Sequence, residues 1–362
     1  MSREKLLLVL LTLTYSQTIT CPNYQCATLP NLQCIYFNPL TLTYYTQPCT
    51  SEDSPYCPTK TSSNSTCTSS PSPTTQKSYP GETCKNGSTC ISGICKDDYC
   101  QGESQGGYCT QNITANANCA PGYFCNLQGN PSTCLALFNE NEQCTSDYEC
   151  NYGTACYNQQ VCKKLTSLKS GAQIEASECL NSYSKYCATQ QCHIFPNNTA
   201  VCTEQFQSPY SVPFECKSDS ACYSKRVDSI GSAGQGACVC GANSEGKAYC
   251  SLFNGDGYMK KYLDKLEEYD RFTGKNKCNI DAVMAPACML SHWGKTNTYE
   301  FLYYQYLANN FASVYEAEKC TLKVFNSQYY VVKENYDDVS DDSSSSSYAE
   351  FLMNFGMIYL IS

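Results

Sequence analysis

Cysteine spacing constrains this chain more than any other feature. All thirty cysteines lie at or after Cys21, about one residue in twelve. In the stretch NEQCTSDYECNYGTACYNQQVC they recur almost evenly, as Cys144, Cys150, Cys156 and Cys162, with hardly an apolar residue between them. The same four-cysteine unit occurs at Cys84, Cys90, Cys95 and Cys100, at Cys109, Cys119, Cys125 and Cys134, and at Cys179, Cys187, Cys192 and Cys202. A fifth unit holds Cys216, Cys222, Cys238, Cys240 and Cys250. The first cysteines of the last four units are 35, 35 and 37 residues apart, the mark of a repeat array. Units this small and this poor in Leu, Ile and Val cannot bury a core of their own, so crosslinks must substitute. Four cysteines allow three pairings; first to third and second to fourth is the pairing expected. Each bridge would then contribute roughly 3 kcal/mol by restricting the unfolded chain.

An even cysteine count at this density belongs to an oxidising compartment. Both chain ends agree. MSREKLLLVLLTLTYSQ has a basic start, a short apolar run and small residues before Ser16, so residues 1–16 read as a signal peptide. Its apolar run is too short to cross a bilayer. At the other end, acidic residues give way to five serines and an apolar tail. That order is the pattern of a GPI attachment signal, with Ser343, Ser344 and Ser345 as candidate attachment sites and residues 348–362 as the tail to be removed. Losing Arg3, Glu4 and Lys5 with the leader would move the net charge from −9 to −10. That balance argues against nucleic acid as a partner.

The expected fold class is small and disulfide-rich: an array of four-cysteine modules with short β hairpins, followed by a small α-helical C-terminal module. Residues 17–57 form an N-terminal cysteine-rich unit, 58–80 a Ser/Thr/Pro-rich linker, 81–250 the array and 251–335 the helical module. Residues 336–347 read as an acidic and serine-rich linker. In GDGYMKKYLDKLEEYDRF, Tyr258, Tyr262, Leu263, Leu266 and Tyr269 fall near one helical face. Two more helices are expected, over residues 279–293 and 298–320, capped by Asn279 or Asp281 and by Thr296 or Thr298. Pro286 either kinks the first of these or marks its start. The helical module holds three cysteines, Cys278, Cys288 and Cys320, and the fifth unit holds five. One bridge, from Cys250, is therefore expected to tie the two together.

Chemistry-bearing motifs are scarce. His193 and His292 lie far apart, and CATQQCH (Cys187, Cys192, His193) offers zinc-like spacing only if its cysteines are reduced. CVC at Cys238 and Cys240 is a tight pair expected to reach different partners. Glu267–Glu268 and Asp337–Asp338 read as solvated faces rather than acid and base pairs. NGDGY at 254–258 and the Asp cluster at 337–342 offer hard oxygens without a complete calcium loop, and read as a solvated turn and an acidic linker. No catalytic residue, cofactor or metal is expected. Four sequons, at Asn64, Asn86, Asn112 and Asn197, sit in polar, turn-like contexts suited to N-glycans. All four precede residue 200, which would leave the helical end bare as a contact surface.

CTSDYECNYGTACYNQQVC is similar to the N-terminal cysteine-rich module of Dickkopf proteins, in its C-x-S-D-x-x-C opening and the glycine before its third cysteine. CKSDSAC at Cys216 repeats that opening, and CKNGSTCISGIC at Cys84 keeps the spacing without the Ser-Asp. The resemblance implies a secreted disulfide scaffold. Dickkopf proteins are ligands of Wnt co-receptors, but no receptor-contact motif accompanies the spacing here. The layout of leader, cysteine array, helical end, serines and apolar tail also resembles cysteine-rich surface proteins of ciliates, whose immobilisation antigens repeat C-x-x-C; this chain contains none. The expectation is a non-catalytic surface protein: a rod-like array displaying glycans and loops above a membrane-proximal helical module. It would serve as coat, adhesin or receptor-like binder of an extracellular protein or glycan, with a lipid anchor in the membrane. The alternative is a soluble ligand or a protease inhibitor presenting a loop such as YSKRVDSIGSAG (223–234).

Overall fold

The computed structural model describes residues 18–30, 32–58, 64–69, 77–109, 118–180, 183–226 and 234–340. The leader, Asn112, the serine run with Ser343, Ser344 and Ser345, the apolar tail and residues 227–233 lie outside them. All thirty cysteines lie inside and all are paired.

The N-terminal unit is a four-stranded sheet of β1 (Asn23–Cys26), β2 (Gln33–Asn38), β3 (Thr43–Thr46) and β4 (Asn64–Thr66), in the order β1-β3-β2-β4. QCIYFN and TYYT are aromatic and β-branched, which suits a pleated, half-buried surface. Two bridges, Cys34–Cys57 and Cys49–Cys67, hold it. The unit therefore does not end at residue 57. It extends through Cys67, and the stretch read as a linker supplies its fourth strand. Composition pointed to a linker because Ser and Thr are neutral about order, whereas the Cys49–Cys67 crosslink is not. The linker reading also fails at its far end, where Ser78 N donates to Thr89 O at 2.7 Å, as part of the first module.

Five disulfide modules follow, each built on a short hairpin. Their third and fourth cysteines face each other across the hairpin: Cys95 and Cys100, Cys125 and Cys134, Cys156 and Cys162, Cys192 and Cys202, Cys238 and Cys250.

The C-terminal part is helical: α1 (Gly257–Arg271), α2 (Pro286–His292), α3 (Lys295–Val314), α4 (Lys319–Phe325) and α5 (Ser327–Ser340). Pro286 stands at the first turn of α2, where its missing N–H costs nothing. The helix before α3 thus starts later than residue 279; Asn279 instead caps a 3-10 turn at Ile280–Ala282. α3 starts after Gly294, at φ 91°, rather than after Thr296 or Thr298, and Thr298 turns its hydroxyl back to Gly294 O at 2.7 Å. α5 runs to Ser340, so the first residues assigned to an acidic linker are helical, and Tyr336 and Val339 pack on the core. That core joins Tyr269, Met289, Trp293, Tyr299, Phe301, Leu302 and Val332. A second core joins Leu307, Phe311, Val314, Leu322 and Tyr329.

The array is not a rod. It bends round the helices, which contact the first, second, third and fifth modules and the N-terminal sheet. His292 Nε2 lies 2.8 Å from Gly81 O, Asn279 Nδ2 donates to Cys119 O at 2.7 Å, Tyr152 donates to Cys278 O, and Ala242 N donates to Ser313 O at 3.0 Å. Phe325 of α4 sets its edge against Tyr24 and Tyr44 of the sheet, at 5.3 and 5.7 Å. Repeat spacing describes neighbours in one dimension; it carries no information on the angle between units or on what they enclose. The helices are a hub.

Candidate functional site

Every module bridges first to third and second to fourth: Cys84–Cys95 with Cys90–Cys100, Cys109–Cys125 with Cys119–Cys134, Cys144–Cys156 with Cys150–Cys162, Cys179–Cys192 with Cys187–Cys202, and Cys216–Cys238 with Cys222–Cys250. In the fifth module the skipped cysteine is Cys240. The two bridges cross behind the hairpin, which brings three sulfurs within 4.8 Å of one another in four of the modules. Those clusters are crossings of oxidised pairs and offer no thiolate to a metal.

A backbone rule that spacing did not reveal unites the first four modules. A residue with positive φ ahead of the first cysteine donates its N–H to the carbonyl of the fourth: Gly81 to Cys100, Gly106 to Cys134, Asn141 to Cys162, Gly171 to Cys202, all at 2.8 or 2.9 Å. The legible signal was a Gly or Asn at that place, the residues that tolerate left-handed backbone. The Ser-Asp pair also acquires a reason. Ser146 and Ser218 open 3-10 turns, and Asp147 and Asp219 reach across to the third-cysteine amides, accepting from Cys156 N at 2.9 Å and Cys238 N at 2.7 Å. The first module lacks the pair because Asn86 caps the turn with its own side chain. Gly87 takes the place of the Asp, and a Cβ there would meet Gly93 O at 2.1 Å.

The bridge from the fifth unit runs elsewhere than expected. Cys250 closes its own module, and Cys240 reaches back to Cys21. Cys278 pairs locally with Cys288, and Cys320 pairs with Cys26. Cys238 and Cys240 do go to different partners, and both long bridges end in the N-terminal unit, spanning 219 and 294 residues. Counting parity within the last two segments could not find them, because it left out the first six cysteines.

Asn64, Asn86 and Asn197 are all exposed. In two of them the sequon is already an Asx turn: Ser88 N donates to Asn86 Oδ1 at 3.1 Å, and Thr199 N to Asn197 Oδ1 at 3.2 Å. The histidines and several acidic residues of the described chain are engaged in packing, hydrogen bonds and ion pairs. Asp256, read as part of a solvated turn, is buried and accepts from Ser208 N, Ser208 Oγ and Phe253 N at 2.6 to 2.8 Å. His193 edges onto Phe195 at 4.9 Å, and His292 stacks on Tyr99 at 5.4 Å. Glu267 and Glu268 pair with Arg271 and Lys265, and Asp337 with Lys333. Buried Lys275 pairs with half-buried Asp270 beside Gly153 of the third module; burial pushes the ammonium down and the carboxyl up from their ordinary values, and the ion pair offsets part of each shift.

Tyr152 is the joint that links most. Its hydroxyl accepts from Gly122 N of the second module at 3.0 Å and donates to Cys278 O of the hub. Burial pushes its pKa up to about 12. Tyr152→Phe strands both backbone groups and is expected to cost about 2 kcal/mol in urea unfolding with disulfides intact. A cost below about 0.5 kcal/mol would mean that water replaces the phenol there.

Residues 112–163 match the model of the Dickkopf N-terminal cysteine-rich region. The match takes in the last three cysteines of the second module and all of the third. No curated protein and no solved structure matches the chain. This is an extracellular disulfide-rich protein carrying a Dickkopf-like cysteine-rich region. Among the described residues no helix is long and apolar enough to cross a membrane.

Proposed function

We propose that the protein is a glycosylated binding scaffold of the cell surface, held outside by a C-terminal lipid anchor, and not an enzyme. The observation that carries this reading is the placement of its polar chemistry. Asp256, Lys275, Asn279 and His292 sit in joints between modules and hub, while outward positions hold sequons and exposed tyrosines. Tyr108, Tyr148 and Tyr223, from three different modules, are 70%, 55% and 52% exposed. Tyrosine presents contact area with little loss of rotamer freedom, as binding surfaces require. Crosslinked modules fixed to a hub would hold such contacts in constant register, so that binding costs little ordering.

The test uses the full chain expressed in a eukaryotic secretory host. Phosphatidylinositol-specific phospholipase C should release it from intact cells, ending at a serine among residues 343–347. The released protein should then bind a second cell population saturably. Release without saturable binding would leave a coat protein, and recovery from the medium with Ser362 intact would remove the anchor.

A further inference from the structure

Of the two bridges that close the N-terminal unit onto the rest of the molecule, Cys26–Cys320 differs from the module bridges in its exposure. Module cysteines are buried or half-buried; among the described residues Cys26 is the one exposed cysteine. Its partner Cys320 is 9% exposed. Both line a cleft of about 480 Å³ at the edge of the N-terminal sheet, walled by Thr28, Leu29, Gln47 and Pro48. Gln47 is fixed there, taking a hydrogen bond from Leu29 N at 2.6 Å and donating to Leu29 O and Gln33 O at 2.9 Å. The far sulfur sits among hydroxyls: Thr46 Oγ1 is 3.2 Å and Thr321 Oγ1 is 3.7 Å from Cys320 Sγ, and both threonines are fully buried.

We propose that Cys26–Cys320 is a thiol-exchange site that accepts a small peptide thiol of the glutathione class. The cleft admits a molecule of that size, and of the four cysteines that line it, Cys26, Cys49, Cys67 and Cys320, Cys26 is the exposed one. The thiolate attacks Cys26 Sγ, a mixed disulfide forms, and the Cys26–Cys320 bond breaks with its electron pair leaving on Cys320. The Thr46 hydroxyl donates to that departing thiolate, and a better-stabilised leaving thiolate departs faster. Cys320 then takes a proton from water. A second thiol attacking the mixed disulfide frees Cys26 and carries away the oxidised dimer, so two thiols supply the two electrons. Opening this bond leaves Cys21–Cys240 as the disulfide that ties the N-terminal unit to the rest of the molecule, and leaves its sheet held to α4 by packing and by the Thr46 contact with Cys320.

The experiment treats the folded full chain with reduced glutathione, quenches with N-ethylmaleimide and maps the peptides. Glutathione on Cys26 together with alkylation of Cys320 is expected before any other cysteine reacts. Thr46→Val should slow the exchange about tenfold, the order expected for a hydrogen bond to a charged group; Thr46→Ser should keep the wild-type rate. Both variants should retain the thermal midpoint within a few degrees. First reaction at Cys21, Cys84 or Cys95, glutathione on Cys320, or no reaction short of global unfolding would overturn the assignment. Equal rates for Thr46→Val and wild type would overturn the role given to the hydroxyl.

Discussion

Gly81→Ala is expected to destabilise the protein by roughly 3 kcal/mol and to free the first module from the hub. Two effects combine at this residue. Its φ of +91° lies in the left-handed region, where a Cβ costs about 1–2 kcal/mol. The Cβ would also lie 2.0 Å from Lys277 O and 3.1 Å from Cys278 Cα. Those are backbone atoms pinned by the Cys278–Cys288 bridge, so they cannot step aside as a side-chain tip would. The neighbouring bonds from His292 and Asn279 depend on the same approach. Gly93→Ala supplies the control. It has φ +76° with nothing within 4 Å of the added carbon, so it carries the backbone cost alone. Urea unfolding measures both, and amide exchange at Asn279, whose N–H donates to Pro80 O across the seam at 3.0 Å, reports whether the module lifts off. Equal costs for the two variants would mean that the hub does not seat on Gly81.

That contact marks the boundary of what the sequence could convey. A local crosslink leaves a local trace: each module's cysteines fall within a short window, so unit size could be read from spacing, while four cysteines still allow three pairings and spacing does not choose among them. The stripe of Tyr262, Leu266 and Tyr269 likewise placed α1, because a helix writes its buried face at a fixed period. Joints between units leave no such trace. Tyr152, Asn279 and Asp256 are unremarkable in composition, and each acquires its role from backbone groups 30 to 160 residues away. The long bridges from Cys21 and Cys26 follow the same logic, since nothing near either cysteine names its partner. The bend of the array round its hub was illegible for that reason, and the helices α4 and α5 were missed because their apolar residues face two cores at once rather than one stripe.

The pH dependence of stability should follow Glu82. This residue is 5% exposed, beside Gly81 at the same seat, and its carboxylate accepts from Tyr79 N at 2.8 Å. Burial pushes its pKa up from 4.5 to about 7, against a smaller lowering by that hydrogen bond. The folded chain therefore keeps this proton to about pH 7, whereas the unfolded chain releases it near 4.5. Between those values the folded state binds more protons, so stability falls as pH rises through the window. Below it Glu82 is neutral in both states and costs nothing; above it the full cost of ionising a buried acid is present, on the order of 3 kcal/mol. Glu82→Gln keeps an oxygen for Tyr79 N and removes the charge. The variant should match wild type at pH 4 and exceed it by up to about 3 kcal/mol at pH 8. Glu142 makes the corresponding bond to Asn139 N in the third module but at the surface, so Glu142→Gln controls for the amide substitution itself. Urea unfolding across the range decides the matter. Parallel curves for wild type and Glu82→Gln would mean that water reaches the carboxylate and that the first module does not close over it. A gap that opens between pH 4.5 and 7 would tie the seating of the array on its hub to the acidity of its surroundings.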